Sequence, residues 1–431
     1  MDLTDRLSAE IRSRRESLIA LTQDLIRIPT LNPPGLHYRE ICDYLSDRLS
    51  AQGFVTALVR AEGAPGDSEA HPRWNLVARR EGAAPGDCVH FNSHHDVVEV
   101  GHGWTRDPFG GALEDDGQNG GRIYGRGACD MKGGLAASII AAEAFLAVCP
   151  AFRGAIEISA TADEESGGFG GVAYLAQQGW FDPDRVQHVI IPEPLHKDRI
   201  CLGHRGVWWA EVETKGRIAH GSMPFLGDSA IRHMGAVLEE VEHSLYPLLA
   251  TKRTAMPVVP EGARQSTLNI NSIHGGEAEP EPGYTGLPAP CVADRCRIIL
   301  DRRFLIEEDI AEVKAEVTGL LDGLKVRRAG FDYDIRDLFE VQPVMTDREA
   351  PVVRSTAAAI ERVLGRVADY VVSPGTYDQK HIDRIGRLKN CIAYGPGLLH
   401  LAHQPDEWVG VQDMEDSALV MALVLADLLA A

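Results

Sequence analysis

The sequence contains the stretch Ala155-Ile156-Glu157-Ile158-Ser159-Ala160-Thr161-Ala162-Asp163-Glu164-Glu165-Ser166-Gly167-Gly168. Its first half is an apolar run of strand length, and three adjacent carboxylates follow that run directly. Like charges packed together at the end of a strand are costly unless a cation compensates them. The stretch therefore predicts a strand with an apolar core whose end lies beside a bound metal ion.

Similar apolar runs alternate with helical stretches along much of the chain. Strands are predicted at 75–78, 88–91, 155–160 and 188–191, and helices at 3–28, 133–148, 171–178, 352–364 and 413–429. This alternation predicts the α/β class, with a sheet that carries helices on both faces.

The pattern changes in the middle of the chain, from Val207 onward. A half-buried strand at 208–214, a helix at 231–245, a strand at 296–300 and a helix at 307–321 are predicted there, with a Pro- and Gly-rich insert around 277–290. Because 431 residues exceed one ordinary hydrophobic core, we expect two domains. The predicted catalytic domain covers 1–206 and 341–431, and the inserted α+β domain covers 207–340.

Charge and cysteine content narrow the classes of partner and the compartment. The formal net charge of -20 disfavours nucleic acid and anionic membranes as partners. Residues 1–34 are too charged for a signal peptide, and no apolar stretch of the roughly 18 residues needed to span a bilayer is apparent. The eight cysteines form no CxxC pair, which favours reduced, mostly buried thiols and a cytoplasmic location.

His94 and Asp96 lie at the predicted end of the strand at 88–91. Residues two apart in a strand point to the same side, and a carboxylate beside an imidazole is the usual way to orient a metal-binding histidine. An isolated His-x-Asp is more often an exposed polar strand end, so this pair alone does not decide between the two interpretations.

Asp130 lies in a Gly-rich run, 124–134, just before the helix predicted at 133–148. An ordinary helix N-cap would explain the aspartate. It would not explain the surrounding glycines, which indicate a backbone held close to another group.

Two further polar positions complete a candidate metal site: Glu193, after the strand at 188–191, and His403, in a loop near the C-terminus. The combined set falls at strand ends or adjoining loops of one predicted sheet, where open α/β sheets bind ligands: His94, Asp130, Glu165, Glu193 and His403. Two histidines and three carboxylates suit zinc, although cobalt and manganese accept the same ligands.

The charges of such a site balance. Two divalent ions, three carboxylates and one bridging hydroxide sum to zero, and a two-metal centre of this kind can generate a nucleophile and polarise a carbonyl at neutral pH. Glu164 lies beside Glu165 and could move protons while its neighbour binds metal.

At this point the motifs resemble those of the zinc aminoacylase and carboxypeptidase family, which includes acetylornithine deacetylase and succinyl-diaminopimelate desuccinylase. The segments HxDVV, GRGxxDMKGG, DEExGG, EP and AHxxxE occur in the family's order, and the resemblance runs from Leu25 to the final helix. It implies a mixed-sheet zinc-peptidase-like catalytic domain with an inserted lid and dimerisation domain, and hence a homodimer.

The resemblance also implies roles for the site residues. Asp130 would bridge the two ions, His94 and Glu193 would bind one of them, and Glu165 and His403 would bind the other. Glu164 would be the general base acting on the bridging water, Asp96 would orient His94, and the peptide bond after Asp130 would be cis.

Substrate contacts are implied for the inserted domain and one loop. His220 resembles a lid histidine that polarises the scissile carbonyl in a neighbouring subunit, although a bland surface histidine is the alternative. Asn269, Arg303 and Thr376 resemble substrate binders; Arg302, adjacent to Arg303, leaves that assignment open. Tyr377 replaces a small residue of the desuccinylases and would narrow or line the pocket, which leaves room for aromatic amides.

The sequence thus predicts a metal-dependent hydrolase that cleaves the amide C–N bond of an N-acyl amino acid or a similar small carboxylate-bearing substrate. The alternatives are hydrolysis of another C–N bond, in an aryl amine, a heterocyclic formamide or a dipeptide, and a non-catalytic metal-binding protein. Glu164 argues against the last, because a protein without catalysis has no chemical need for a base beside the ligands.

Overall fold

The computed structural model describes residues 2–115, 117, 120–276 and 290–429. Of the predicted insert around 277–290, all but Pro290 lies outside the described residues. The chain forms two compact units: unit 1 comprises Met1–Gly203, Thr346–Val371 and Tyr377–Ala431, and unit 2 comprises His204–Met345 and Val372–Thr376.

The helices and strands follow in chain order. Up to residue 204 they are α1 (Leu3–Ser13), α2 (Arg15–Arg27), α3 (Tyr38–Ala51), β1 (Val55–Arg60), β2 (Trp74–Glu81), β3 (Ala84–His94), β4 (Ala112–Glu114), β5 (Arg122–Tyr124), α4 (Gly133–Val148), β6 (Arg153–Thr161), α5 (Tyr174–Gln177), β7 (His188–Ile191) and β8 (Arg199–His204). The middle block contains β9 (Gly206–Lys215), α6 (Ala230–Glu240), α7 (Tyr246–Thr251), β10 (Thr267–Gly275), β11 (Arg295–Phe304), α8 (Ile310–Arg327), β12 (Tyr333–Val341) and β13 (Val344–Met345). The last part contains α9 (Pro351–Leu364), β14 (Asp369–Ser373), α10 (Gln379–Arg384), β15 (Cys391–Ala393), β16 (Trp408–Gly410) and α11 (Val411–Leu429).

Unit 1 is built on a mixed sheet that runs in the order β1-β2-β6-β3-β7-β15-β8. Its centre is parallel: β3 pairs in parallel with β6 and β7, and β15 pairs in parallel with β7. Toward the β1 edge, β2 pairs antiparallel with both of its neighbours, β1 and β6. The predicted fold class is confirmed, and the carboxyl ends of β3, β6 and β7 meet at one edge of the sheet.

The helix α4 is the apolar centre of unit 1. Every residue from Gly133 to Phe145 is buried. The segment Ala128–Val148 is long and apolar enough to cross a membrane by length and composition alone, and 89% of its apolar window is buried within the protein. The expectation that no stretch reaches this length was therefore wrong, and the burial assigns the segment to the protein core.

A second, three-stranded sheet in unit 1 has the order β16-β5-β4. Trp408 pairs with Tyr124 and Gly410 with Arg122 in antiparallel register. This pairing brings the loop before β16 beside the turn that follows β5.

Unit 2 is a four-stranded antiparallel sheet in the order β10-β11-β9-β12, so β10 and β12 are its edge strands. Alternate residues of β9 and β11, such as Trp208 and Leu300, face a core. The core also contains residues of α6 and α8, such as Met234 and Val317. The sequence predicted only two of these four strands.

Unit 2 also contains a short return of the chain, Val372–Thr376. Val372 forms a parallel bridge with Val258, and the Arg205 guanidinium donates to the carbonyl of Pro374 over 3.2 Å. The predicted inserted domain, 207–340, did not include this return, because its pairing partners lie more than a hundred positions away in the sequence.

Candidate metal centre

The candidate centre lies at the carboxyl edge of the parallel strands of unit 1. His94 is the last residue of β3, the short turn Glu164–Ser166 follows β6, and Glu193 follows β7. Parallel neighbours end at the same edge, so three of the predicted positions converge for a topological reason.

The side chains form two groups that share one aspartate. Potential ligand atoms of His94, Asp130 and Glu193 lie within 4.8 Å of one another, and so do those of Asp130, Glu165 and His403. His94 Nε2 is 3.1 Å from Asp130 Oδ1, and His403 Nε2 is 3.6 Å from Asp130 Oδ2. Asp130 therefore directs one carboxylate oxygen toward each group.

The electrostatics of these groups fit a bound cation. Burial, together with the neighbouring Asp130 carboxylate, raises the pKa of Glu193 well above its ordinary value and raises the pKa of Glu165 to about 7. Carboxylates this unfavourable in their charged form are stabilised by divalent ions. The donor set of imidazole nitrogens and carboxylate oxygens is one that zinc, cobalt or manganese accepts.

Asp96 links the histidine to the acidic turn. His94 Nδ1 donates to the backbone carbonyl of Asp96 over 3.0 Å and lies 3.5 Å from its carboxylate. The same carboxylate accepts the backbone N–H groups of Glu164 and Glu165 at 3.1 and 3.2 Å. Asp96 thus fixes the position of both glutamates, a contact that the sequence did not predict.

Asp163, the first of the three adjacent carboxylates, has a supporting place. It adopts a left-handed backbone conformation with φ of 63°. Its buried carboxylate accepts from Arg73 Nε at 2.8 Å and from the Tyr38 hydroxyl at 2.9 Å. Only Glu164 and Glu165 of the acidic triplet therefore remain for chemistry.

Asp130 is not a helix cap. Its side chain makes no capping hydrogen bond to α4, and the Asp130–Met131 peptide bond is cis. A Cβ on Gly134 would lie 2.0 Å from the carbonyl oxygen of Pro192. This close approach to the chain that carries Glu193 explains Gly134, whereas a Cβ on Gly133 would lie 2.5 Å from the carbonyl oxygen of Ala128.

A buried ion pair between Glu407 and Arg126 holds the backbone of Asp130. Glu407 accepts the backbone N–H of Asp130 at 3.0 Å and pairs with Arg126 at 2.5 Å. Arg126 also donates to the carbonyl of His403 at 3.3 Å. The pair joins the aspartate turn to the histidine loop, and sequence reasoning missed it although Glu407 closes the AHxxxE segment.

Glu164 has a partner that was also missed. Lys380 Nζ lies 2.9 Å from Glu164 Oε1. The lysine belongs to α10, 216 positions away in the sequence, and no spacing signal joins the two residues.

His95 does not belong to the centre. It is buried on the other side of β3, where its Nε2 lies 3.0 Å from the carbonyl oxygen of Trp74. Burial lowers the pKa of His95 to about 4, so the ring is neutral.

The predicted substrate contacts His220, Asn269, Arg303 and Thr376 all lie in unit 2. His220 is exposed, and its Nδ1 accepts the backbone N–H of Ser222 at 3.1 Å. A neutral ring in this arrangement carries its proton on Nε2. Thr376 is partly exposed at the end of the chain return.

The structure separates the two adjacent arginines. Arg302 is fully buried and pairs with Glu308 and Glu316. Arg303 points to the other side of the strand, is 25% exposed and pairs with Asp301. Asp301 lies opposite Asn269 in the β10–β11 register, so Asn269 and Arg303 share one face of the sheet.

Tyr377 differs from the expectation that it lines a pocket. The residue is buried in unit 1, and its hydroxyl donates to Gln379 Oε1. The Gln379 amide in turn donates to the carbonyl of Cys391 at 2.9 Å. Because its hydroxyl is held in this interior network, Tyr377 gives little support to an aromatic amide as the substrate.

Three comparisons with known proteins found a matching family, similar sequences and similar structures. The model of peptidase family M20/M25/M40 matches residues 90–427. Succinyl-diaminopimelate desuccinylase of Burkholderia ambifaria is 28% identical over 422 residues, covering 96% of this chain and 99% of the relative. The protein of the same name from Methylobacterium sp. is 31% identical over 426 residues, covering 95% of each chain. The solved structure of human carnosine dipeptidase 1 matches with a TM-score of 0.75 at 20% identity, covering 99% of both chains, and this likeness shows the fold alone.

Proposed function

Because this chain belongs to peptidase family M20/M25/M40 and is a metal-dependent hydrolase of carbon–nitrogen amide bonds, we propose that it deacylates an N-acyl amino acid or a similar small carboxylate-bearing amide. The observation that carries the proposal is the pair of histidine–carboxylate groups that share Asp130, with Glu164 beside them. The desuccinylase relatives support an acylated amino acid as the class of substrate.

Two divalent ions fit the residues present, and we propose zinc as the native metal. His94 and Glu193 would hold one ion, Glu165 and His403 the other, and Asp130 both. When bound, the ions supply Lewis acidity that polarises the scissile carbonyl and lowers the pKa of the attacking water. Cobalt or manganese would suit the same ligands.

Glu164 is the proposed general base. Its carboxylate takes one proton from the attacking water as the water oxygen bonds to the carbonyl carbon, and then delivers that proton to the leaving nitrogen as the C–N bond breaks. The products are a carboxylic acid, which keeps the second proton of the water, and an amine; at neutral pH the acid then passes that proton to the amine or to solvent. Asp96 supports this role because it anchors the backbone of Glu164 and orients His94.

Unit 2 would supply contacts to the substrate. Asn269 and Arg303 share one face of its sheet, and a guanidinium suits a carboxylate bidentately. Arg303 would exchange its Asp301 partner for the substrate. His220, with its proton on Nε2, can donate to the scissile carbonyl, and Thr376 can donate through its hydroxyl.

We propose that the chain is a homodimer through unit 2. Among the residues that the structure describes, β10 is an edge strand that pairs with β11 alone, and Ile273 on it is 53% exposed. Phe225, in the short turn Pro224–Leu226 between β9 and α6 of the same unit, is 77% exposed. Sedimentation of wild-type protein and of Ile273→Glu tests this: a dimer converted to monomer supports the proposal, and a wild-type monomer at micromolar concentration contradicts it.

The thiols support the proposed cytoplasmic location. All eight cysteines are described and none forms a disulfide; six of them are buried. The burial of these six agrees with the mostly buried thiols that the spacing predicted.

The activity is tested with metal-stripped protein refilled with zinc, cobalt or manganese. The substrates are N-acetyl, N-formyl and N-succinyl amino acids, aryl amides and dipeptides, and Glu164→Gln is the matched variant. We expect metal-dependent turnover of an N-acyl amino acid, reduced about 10²- to 10⁴-fold in the variant with its metal content unchanged. If only dipeptides were turned over, the proposed class of substrate, N-acyl amino acids, would be wrong. If Glu164→Gln were as active as wild type, the proposed role of Glu164 as general base would be wrong.

A further inference from the structure

We propose that Lys380 is a positioning residue for the Glu164 carboxylate, holding one of its oxygens so that the other faces the reacting water. The inference rests on the proposed function. Lys380 Nζ lies 2.9 Å from Glu164 Oε1, and the lysine side chain is only 2% exposed.

The residues on both sides of Lys380 are anchored in unit 1 through their side chains. Asp378 accepts from the Asn92 amide at 3.0 Å, and the Gln379 amide donates to the carbonyl of Cys391 at 2.9 Å. His381 Nε2 donates to the carbonyl of Gly167 at 2.7 Å, directly after the turn that carries Glu164. The ammonium group is therefore presented to the glutamate by a fixed segment.

Neighbouring carboxylates explain why the Lys380 ammonium group can be buried in its charged form. Desolvation works against the charged lysine, but the carboxylates of Glu164 and Asp378 outweigh it and keep the pKa of Lys380 above its ordinary value. The three ligand carboxylates already offset most of the charge of two divalent ions. Glu164 would add one more negative charge to the buried site, and Lys380 compensates it.

A base held at one oxygen has fewer orientations to lose when the substrate is bound. This effect belongs to the chemical step, because it does not change how the substrate is held in the ground state. Loss of Lys380 should therefore lower kcat and leave KM nearly unchanged. A lysine that bound the substrate carboxylate would instead raise KM.

The first experiment compares Lys380→Met, Lys380→Arg and wild type as zinc-loaded enzymes on the best substrate of the panel. We expect kcat to fall about 10- to 100-fold in Lys380→Met, with KM within about twofold. Zinc per chain should stay the same, and Lys380→Arg should recover most of kcat. Lys252→Met is the control, since Lys252 also pairs with two carboxylates, Glu308 and Glu316, and its kcat should equal that of wild type.

The second experiment uses metal-stripped protein and has no activity readout. Thermal unfolding is measured for Glu164→Gln, Lys380→Met and the double variant. Each single change leaves one buried charge without its partner, whereas the double change removes both. We expect the double variant to lose less in Tm than the sum of the two single losses.

The outcomes separate this inference from the proposed function. If the wild-type enzyme turned over none of the substrates with any of the metals, both the proposed function and the positioning role would be overturned. An active wild type with unchanged kcat in Lys380→Met, or with a raised KM as the main effect, would overturn the positioning role alone. Additive losses in Tm would also overturn it, because they would show that the two side chains do not interact.

Discussion

The Glu165–His403 pair sets how the candidate centre responds to pH. Burial raises the pKa of Glu165 to about 7, and the hydrogen bond that His403 donates to Glu165 raises the pKa of His403 to about 9. Both groups are deprotonated above pH 9 and both are protonated below pH 7 in the metal-free protein. An ion at this position must displace those protons, so its affinity falls as the pH is lowered through this range.

We therefore expect the Kd of the ion proposed for Glu165 and His403 to rise about tenfold for each pH unit of acidification and each displaced proton. Chelator competition between pH 6 and 9 measures the Kd, and calorimetry in buffers of different ionisation enthalpy counts the protons. His403→Ala, which removes one of the two groups, should flatten the dependence. A Kd constant from pH 7 to 9 in the wild type would contradict the prediction.

Glu407 supports the centre without being one of its proposed ligands. Changing it to Gln leaves the Arg126 guanidinium buried without a full charge partner, and losing one member of a buried pair costs about 3–5 kcal/mol. Denaturant unfolding of metal-stripped protein measures this loss. Glu69→Gln is the matched control, since Glu69 pairs with Arg60 but is 94% exposed, and we expect a change below about 1 kcal/mol. Equal losses in the two variants would refute the supporting role.

At the level of single residues, the sequence was informative where chemistry is local. The strand-end positions of His94, Glu165 and Glu193 could be predicted because parallel strands end at one edge. Lys380 could not, because its contact with Glu164 spans 216 positions and depends on where α10 docks. Arg126 was missed for the same reason, since its partner lies in a distant loop.

At the level of elements, short apolar runs predicted the central strands well. The predicted runs 75–78, 88–91, 155–160 and 188–191 all lie within observed strands, and the helix predicted at 133–148 has the observed bounds. The helix predicted at 3–28 is two helices that meet at Arg14, where the backbone departs from the helical range with φ of -95° and ψ of 6°. The edge strands β10 and β12 were missed because an exposed edge carries little apolar alternation.

The predicted helix at 171–178 is shorter in the structure because the chain turns at Gly171. The backbone of Gly171 lies against the carbonyl of Ala162 and has a non-helical φ of -110° and ψ of -114°. The π-helical turn Phe169–Ala173 precedes α5, which begins at Tyr174. The helix predicted from 307 begins at Ile310 because Asp309 caps it, accepting the N–H of Ala311 at 2.8 Å. Both differences depend on contacts that helical periodicity does not encode.

Gly134 tests whether the first turn of α4 is coupled to the metal centre. Gly134→Ala puts a methyl group against Pro192, next to Glu193, and overpacking of this kind costs about 1–3 kcal/mol. We also expect weaker binding of the ion proposed for His94 and Glu193. Thermal unfolding and metal titration measure the two effects.

Gly235→Ala is the matched control for this change. Gly235 is exposed within α6, and an added Cβ there meets nothing within 4 Å. Alanine should stabilise that helix by about 0.5–1 kcal/mol and leave metal binding unchanged. If Gly134→Ala behaves like Gly235→Ala, the close approach to Pro192 does not constrain the site.

At the level of the whole molecule, the chain forms two compact units. The inserted domain predicted at 207–340 compares with His204–Met345 plus Val372–Thr376. Only Arg205 separates β8 from β9, so no Pro- or Gly-rich linker marks the boundary. Composition did not reveal the division; a change in strand pattern did.

All five proposed metal ligands belong to unit 1, although they come from positions as far apart as His94 and His403. Binding therefore ties the C-terminal part of unit 1 to its central strands and should stabilise that unit. An ion present at a thousand times its Kd adds about 4 kcal/mol to the free energy of unfolding. Unit 2 has its own core and contains none of the five proposed ligands, so it should gain nothing directly.

Hydrogen exchange with and without zinc measures this difference. We expect chelation to accelerate exchange in the Ala128–Lys132 turn, the Glu164–Ser166 turn and the loop before β16, while β9 and β11 keep their protection. Asp130→Ala, which removes the shared ligand, should reproduce the chelated pattern in the presence of zinc. Equal acceleration in both units would mean that the ions stabilise the chain as one cooperative body, and no acceleration in unit 1 would mean that the centre is preformed and adds little to folding.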